Sequence, residues 1–432
     1  MNGLKQLMSV ALVVVSGCVG DRPNEPIVAA PRDSAAAVDQ FVDKTINDGV
    51  YPFLYVRLES ADGELIYEKS AVNRDLIPTL AINGDSWMRI WSMTKLVTIV
   101  ATLDLVEDGV LSLSDPVTDY LPELADTLVA TGTDGASLTD RPAEGEGGSK
   151  CPIVLRKPTT TMTVEHLLTH EAGFYYATTN IPCIAGLVAD SDLPNAGDGD
   201  DFVKRVAALP LIQNPGSLYY YGTNTSVLGV VLERAAGKSL AEIIKERITG
   251  PLRIEGLAYH LPEGAKTPPR FDGGDGVLRP ARDGELDIFG GPIPSYGRER
   301  RLFLGGEGMV GTASGYAKFI RMVLGRGELG GVRILDESSI NELIAPRSLL
   351  ESPYGYNGYN LWISNGYRGE DKPRGPAGVW VGGGYEGTRF WIDPDKDIVG
   401  VIMTQVHDAP HSEDDPIGQL QILLYEMLID ER

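Results

Sequence analysis

Trp91-Ser92-Met93-Thr94-Lys95-Leu96-Val97-Thr98-Ile99-Val100 runs on to Glu107 and stops at Gly109. The stretch predicts a helix over 93–107. Its apolar positions Leu96, Val97, Ile99, Val100, Leu103 and Val106 wrap more than one face, the pattern of a buried helix. Ser92 and Lys95 stand three residues apart at its start, so they share a face of the first turn. The helix start adds free backbone N–H groups and a positive dipole end. A serine hydroxyl is a weak nucleophile until a base takes its proton. A lysine is such a base only where burial or nearby positive charge destabilises its ammonium. Ser-x-x-Lys places both groups on one rigid element. The plainer alternative, a capping serine and a surface lysine, is weakened by the apolar run around Lys95 and by Trp91 beside Ser92.

Outward from this helix, the flanks predict strands at both ends of the chain. Residues 51–59 and 65–70 read as two strands, with Asp62-Gly63 as a hairpin turn signal between them. A helix over 34–48 precedes them. Strand-like runs return at 356–364, 378–381, 388–392 and 398–405, and 417–428 reads as a closing helix. Between the ends, helices are expected at 163–169, 226–236, 240–248 and 315–324. Residues 130–160 read as a long polar loop, and 189–201 as a solvated acidic loop. A calcium site in the latter is disfavoured, because its acidic spacing does not match an EF-hand. The expected fold class is mixed α/β (α+β): an antiparallel sheet from about 50–72 and 356–406, flanked by helices, with a mostly helical region at about 110–330 inserted in a domain spanning 34–432.

The chain has 432 residues, a net charge of −22, 43% hydrophobic and 23% charged residues. That balance is globular, and the acidity argues against a nucleic-acid partner. Residues 1–17 read as an export signal, with Lys5 before the apolar run 7–15. Val15-Ser16-Gly17-Cys18 resembles a bacterial lipoprotein box, which makes Cys18 a candidate lipidation site. Residues 18–33, with Gly20, Pro23, Pro26 and Pro31, read as a tether. The expected location is periplasmic and membrane-anchored, with a secreted soluble form as the alternative. Cys151 and Cys183 are a candidate disulfide in that oxidising setting. Their spacing fits no zinc pattern, so no metal site is expected.

The segment from Arg89 through Ser92, Lys95, Gly109, Leu111, Asp115-Pro116 and Tyr120-Leu121-Pro122 resembles the serine β-lactamase-like hydrolases. These comprise class C β-lactamases, D,D-peptidases and the carboxylesterases of that fold. Thr163 to His170 with Gly173, Pro215-Gly216 to Gly229, Gly305-Gly306-Glu307-Gly308 to Tyr316, and Gly387 to Pro394 resemble further family segments in the same order. The resemblance implies a catalytic Ser92 and Lys95, a tyrosine that relays protons, and no cofactor. Tyr219, Tyr220 and Tyr221 compete for the tyrosine. The esterase-type register favours Tyr221, and the β-lactamase register favours Tyr220, leaving it as a candidate substrate contact. Neither register carries the β-lactamase asparagine two residues on.

At the third motif β-lactamases carry Lys-Thr-Gly, whereas this chain reads Trp380-Val381-Gly382-Gly383-Gly384-Tyr385. Neither register supplies a cation. The resemblance implies an oxyanion hole from the backbone N–H groups of Ser92 and Tyr385. Gly384 would give close backbone approach, and Trp380 is the motif residue in the shifted register. His170 is read as structural, since no Gly-x-Ser-x-Gly elbow surrounds a serine. Glu307 is read as a rim carboxylate, with tuning of Lys95 as the sharper alternative. These readings converge on a serine hydrolase, a carboxylesterase for short-chain or aryl esters. The rivals are a β-lactamase, D,D-peptidase or amidase acting on amides or β-lactams, and a non-catalytic envelope-binding lipoprotein.

Overall fold

The computed structural model describes residues 35–140, 153–179, 181–282, 296–349, 355–366, 376–411 and 415–429. The leader, the tether, Cys18, Cys151 and the side chain of Cys183 lie outside them, and the cysteine pairing with them.

The sheet is antiparallel and eight-stranded. The chain contributes β1 (Phe53–Ser60) and β2 (Leu65–Val72) early, and β3 (Ser348–Leu349), β4 (Gly355–Asn357), β5 (Trp362–Asn365), β6 (Ala377–Gly383), β7 (Arg389–Asp393) and β8 (Ile398–Met403) late. Their order in space is β3-β4-β5-β6-β7-β8-β1-β2. The two ends of the chain therefore meet at β1 and β8, with Tyr55 opposite Met403 and Ser60 opposite Ile398. The 356–364 run is two strands, not one, because the backbone turns between Asn357 and Trp362 and Asn360 takes a positive φ of 51°.

Strand alternation separates two cores. On one face Leu54, Val56, Leu58, Trp391 and Ile402 pack beneath helices α1 (Ala36–Asn47) and α10 (Pro416–Ile429). On the other, Phe53, Tyr55, Phe390, Ile392, Val401 and Met403 meet the helical region. That region contains α2 (Thr94–Glu107), α3 (Val164–Leu168), α4 (Pro182–Ser191), α5 (Gly199–Ala207), α6 (Asn224–Ala236), α7 (Leu240–Ile244), α8 (Ala313–Leu324) and α9 (Glu337–Ile344). Helix α2 lies inside it. From Thr94 to Leu105 every residue but Asp104 is buried.

Two loop expectations are corrected. Within 130–160, Val129–Gly132 pairs with Ile153–Arg156 as a two-stranded ribbon. Residues 189–201 are not one solvated loop: they comprise the end of α4, a linker with a 3₁₀ turn at Leu193–Asn195, and the start of α5. Asp198 caps α5 through the Asp201 N–H at 2.9 Å, and Asp201 pairs with Arg205 one turn on. The acidic residues are there because carboxylates satisfy the orphan N–H groups and dipole of a helix start.

Gly400 on β8 lies opposite Trp391 on β7. A Cβ at Gly400 would fall 2.0 Å from the Trp391 ring, which is fully buried. The ring cannot swing away without opening the core under α10. Gly400→Val is expected to lower the unfolding free energy by about 1–3 kcal/mol, the range for overpacked cores. Denaturant unfolding measures it; an unchanged midpoint would show that the ring relocates freely.

Candidate active site

The chain reaches Ser92 through a single 3₁₀ turn, Trp91–Met93, ahead of α2. Trp91 adopts φ +45°, a left-handed conformation that is strained for a bulky residue. Its ring is wedged in place. Tyr385 meets it edge-on at 5.5 Å, and the Arg270 guanidinium sits 5.3 Å from its centroid. Arg270 is itself paired with the buried Glu386. These contacts over-determine the turn and set the direction in which Ser92 leaves the backbone.

Lys95 has no solvent exposure. Its Nζ lies 3.1 Å from Ser92 Oγ, 3.0 Å from Tyr176 OH and 2.9 Å from the Gly306 carbonyl. Tyr221 donates its hydroxyl to Ser92 Oγ at 2.6 Å, and its ring centroid lies 4.8 Å from Lys95 Nζ. Ser92 Oγ is thus the meeting point of an amine and a phenol. Three tyrosines compete in sequence, and the geometry separates them. Tyr221 faces Ser92. Tyr220 is half-buried and shares its hydroxyl with Thr179. Tyr219 stands edge-on to Trp362 at 5.6 Å in the pocket wall.

His170 explains why the tyrosine loop holds this shape. It is fully buried, and its ring stacks on Tyr221 at 4.8 Å with 25° between planes. Its carbonyl accepts from the Tyr220 N–H at 2.8 Å. Nδ1 faces the Gly222 N–H at 3.3 Å and Asn224 Nδ2 at 3.1 Å. Both partners are donors, so Nδ1 is the acceptor and the proton sits on Nε2, toward Thr225 Oγ1 at 3.4 Å. Burial, helped by the charge of Lys95, pushes the imidazole well below its usual range. His170 is a neutral support for the loop, with no contact to Ser92 among its bonds.

The Gly305–Gly308 segment closes the site from the other side. Thr98 donates to Gly305 O at 2.7 Å, and Gly306 N–H reaches Ser226 Oγ at 3.0 Å. A Cβ on Gly306 would lie 2.8 Å from Ser226 Oγ and 3.3 Å from Lys95 Nζ, so only glycine lets its carbonyl approach the amine. Glu307 is buried rather than on a rim, 3.7 Å from Lys95 Nζ.

A pocket of about 270 Å³ opens over Ser92, lined by Leu96, Tyr219, Tyr221, Asn360, Trp362 and Phe390, with the bare backbone of Gly382 and Gly383. Gly384 lies at the end of β6, where a Cβ would fall 2.7 Å from Ile90 O. Its N–H is committed to Thr388 O at 2.8 Å, and the next residue, Tyr385, abuts Trp91. Trp380 is elsewhere: it is buried with Arg326 5.3 Å over its ring, and is not among the residues lining the pocket. The sequence places Tyr176 only among the aromatic surroundings of the site, and it overlooks Ser226, Asn360 and Trp362. None sits in a spacing that marks it, and only the fold brings them to Ser92.

The family model described as Beta-lactamase matches residues 55–423. An uncharacterized protein of Mycobacterium tuberculosis is 28% identical over 356 residues, covering 77% of this chain and 80% of that protein. Lovastatin esterase of Penicillium rubens is 30% identical over 292 residues, covering 66% of this chain and 68% of that enzyme. Among solved structures, EstCE1, described as a hydrolase with promiscuous acyltransferase activity, shares the fold. Its TM-score is 0.72 at 20% identity, covering 91% of this chain and 99% of that one.

The neutral His170 carries a stability signature. Its depressed folded value means that the unfolded chain binds the proton more readily. Stability is therefore lost as pH falls below the unfolded value of 6.5. The loss is at most about 1.4 kcal/mol per pH unit for one proton. His170→Asn keeps an acceptor and tolerates the positive φ. Unfolding measured from pH 7.5 to 5 is expected to show a shallower pH slope in the variant; an equal slope would place the proton uptake elsewhere.

Proposed function

The chain belongs to the beta-lactamase family, and on that footing we propose that it is a serine hydrolase, a carboxylesterase that cleaves short-chain or aryl esters through an acyl-enzyme on Ser92. The observation that carries this reading is the convergence of Lys95 Nζ and Tyr221 OH on Ser92 Oγ, at 3.1 and 2.6 Å, beneath a pocket walled largely by aromatic side chains. Ser92 Oγ attacks the ester carbonyl carbon, and its proton passes to the Lys95–Tyr221 pair. The carbonyl π electrons move onto oxygen, which rests on the backbone N–H groups of Ser92 and Tyr385. The C–O bond to the alcohol then breaks, and the alcohol leaves with the proton returned by Tyr221. Water repeats the sequence to free the acid.

Substrate class follows from what lines the pocket. A pocket of about 270 Å³ with Leu96, Tyr219, Tyr221, Trp362 and Phe390 beside the polar Asn360 suits a small acyl or aryl ester. The lining residues named above carry no lysine or arginine to hold the carboxylate of a β-lactam or peptide, and the chain's charge of −22 repels one. Hydrolysis of p-nitrophenyl acetate and butyrate, beside a chromogenic cephalosporin, is the test. Fast ester turnover is expected, with slow cephalosporin turnover, both lost in Ser92→Ala. Tyr221→Phe should lower kcat by about 100-fold or more, whereas Tyr220→Phe stays within a few-fold. A cephalosporin preference would replace the esterase reading with the lactamase one. No turnover and no acyl adduct in an intact-mass spectrum would favour the binding-protein rival.

We also propose export and anchoring through Cys18, on the strength of the charged start, short apolar run and Val15-Ser16-Gly17-Cys18. A bacterially expressed full chain should yield a mature protein beginning at Cys18 with added lipid mass. A lipid-free product cleaved elsewhere would overturn it.

A further inference from the structure

Glu307 is the acidic side chain that reaches Lys95 among the described residues, and the hydrolysis sequence above does not use it. It is 3% exposed. Tyr176 donates to its Oε2 at 2.9 Å and Ser226 donates to its Oε1 at 2.8 Å. Because Tyr176 gives its only proton to the carboxylate, its oxygen is the acceptor in the 3.0 Å contact with Lys95 Nζ. Gly306 O is an acceptor by nature. Two of the amine's hydrogens are therefore assigned, to Tyr176 and to Gly306. In the neutral amine the remaining position is the lone pair, and it faces Ser92 Oγ at 3.1 Å. The directionality Lys95 to Tyr176 to Glu307 is what aims it.

We infer that Glu307, acting through the Tyr176 hydroxyl, is a positioning residue that fixes the orientation of Lys95 and balances the charge the amine gains when it takes the Ser92 proton. The inference rests on the serine-hydrolase reading above and deepens it. When Oγ bonds to the carbonyl carbon, the Ser92 proton forms a bond to the Nζ lone pair, and an ammonium appears in a place closed to water. The carboxylate at 3.7 Å, coupled through one phenol, supplies the opposing charge. It does for the lysine what a buried carboxylate does for the histidine of a Ser-His-Asp triad. Burial and the charge of Glu307 hold the Tyr176 hydroxyl well above its ordinary range, so it stays a proton-bearing bridge. The other groups facing the pair are the Tyr221 ring beside the amine and His170 stacked beyond it. Tyr219 faces Tyr176, and Tyr259 lies on the Glu307 side.

Glu307→Gln tests this with little change of shape. Both partners of the carboxylate are hydroxyls, which turn to accept from an amide as readily as they donate to an acid. The expected result is a loss of about 10- to 100-fold in kcat with KM nearly unchanged. The loss should depend on pH. Without the carboxylate nothing opposes the new charge, so the high-pH plateau of kcat/KM drops, while its acid limb moves to lower pH. Tyr176→Phe cuts the same connection from its other end. The double variant should lose no more than the worse single one, because the two act in series. A loss equal at every pH, additive losses, or wild-type rates in Glu307→Gln would each overturn the inference. The same series is read a second way, by the rate at which a fluorophosphonate labels Ser92 in an intact-mass assay. That readout needs an activated serine but no particular ester, so a wrong substrate class fails in the ester assay alone. If Glu307→Gln does not fold, Tyr176→Phe decides by the same pH and labelling criteria.

Discussion

A lysine amine closed off from water constrains everything around it. Lys95 is fully buried, and a buried amine without partners costs several kcal/mol. The fold meets that demand with one contact from each of three directions. Tyr176 follows α3, Gly306 lies in the glycine turn before α8, and Ser92 lies on its own 3₁₀ turn. Each contact requires something of the backbone behind it. Gly306 cannot bear a side chain, and Thr98 and Ser226 must hold its segment against α2 and α6. The apolar envelope of α2 closes the remaining side of the amine, where Leu96, Ile99 and Val100 are buried.

Much of the fold was legible because its signals are local and periodic. The turn signal at Asp62-Gly63 marked β1 and β2, Trp, Ile and Val content marked late strands, and the wrapped apolar pattern of α2 marked a helix without a solvent face. The misreadings came where local composition served a tertiary purpose. Asp198 and Asp201 look like solvated loop residues, yet one caps α5 and the other holds Arg205. The polar tract around 130–160 hides a ribbon whose two strands lie on either side of the most polar residues. The turn at Asn360 splits a run that reads as one strand, because a left-handed residue leaves no trace in hydropathy.

The site was legible to the extent that it lies on one element. Ser92 and Lys95 share a helical turn, so spacing alone pairs them. Tyr221 needed the family register to stand out from its neighbours, and the stacking on His170 gives that register a physical cause. Tyr176, Ser226 and Glu307 come from three separate segments. Nothing in their spacing links them, and Glu307 reads as a rim carboxylate until its two hydroxyl partners are seen. Trp380 entered through the shifted register of the third motif, but strand geometry sends it under Arg326.

The central pairing of β1 with β8 joins residues about 340 positions apart in the chain. Contacts of such sequence separation form late, after the entropy of closing the intervening loop has been met. Ser92 and Lys95 are synthesised early, but Gly384 and Tyr385, which border the turn that carries Ser92, come from the last fifth of the sequence. A growing or partly threaded chain therefore holds its serine and lysine without the wall that completes the pocket. On the reading proposed above, the pocket over Ser92 is therefore closed only once the final strands have paired.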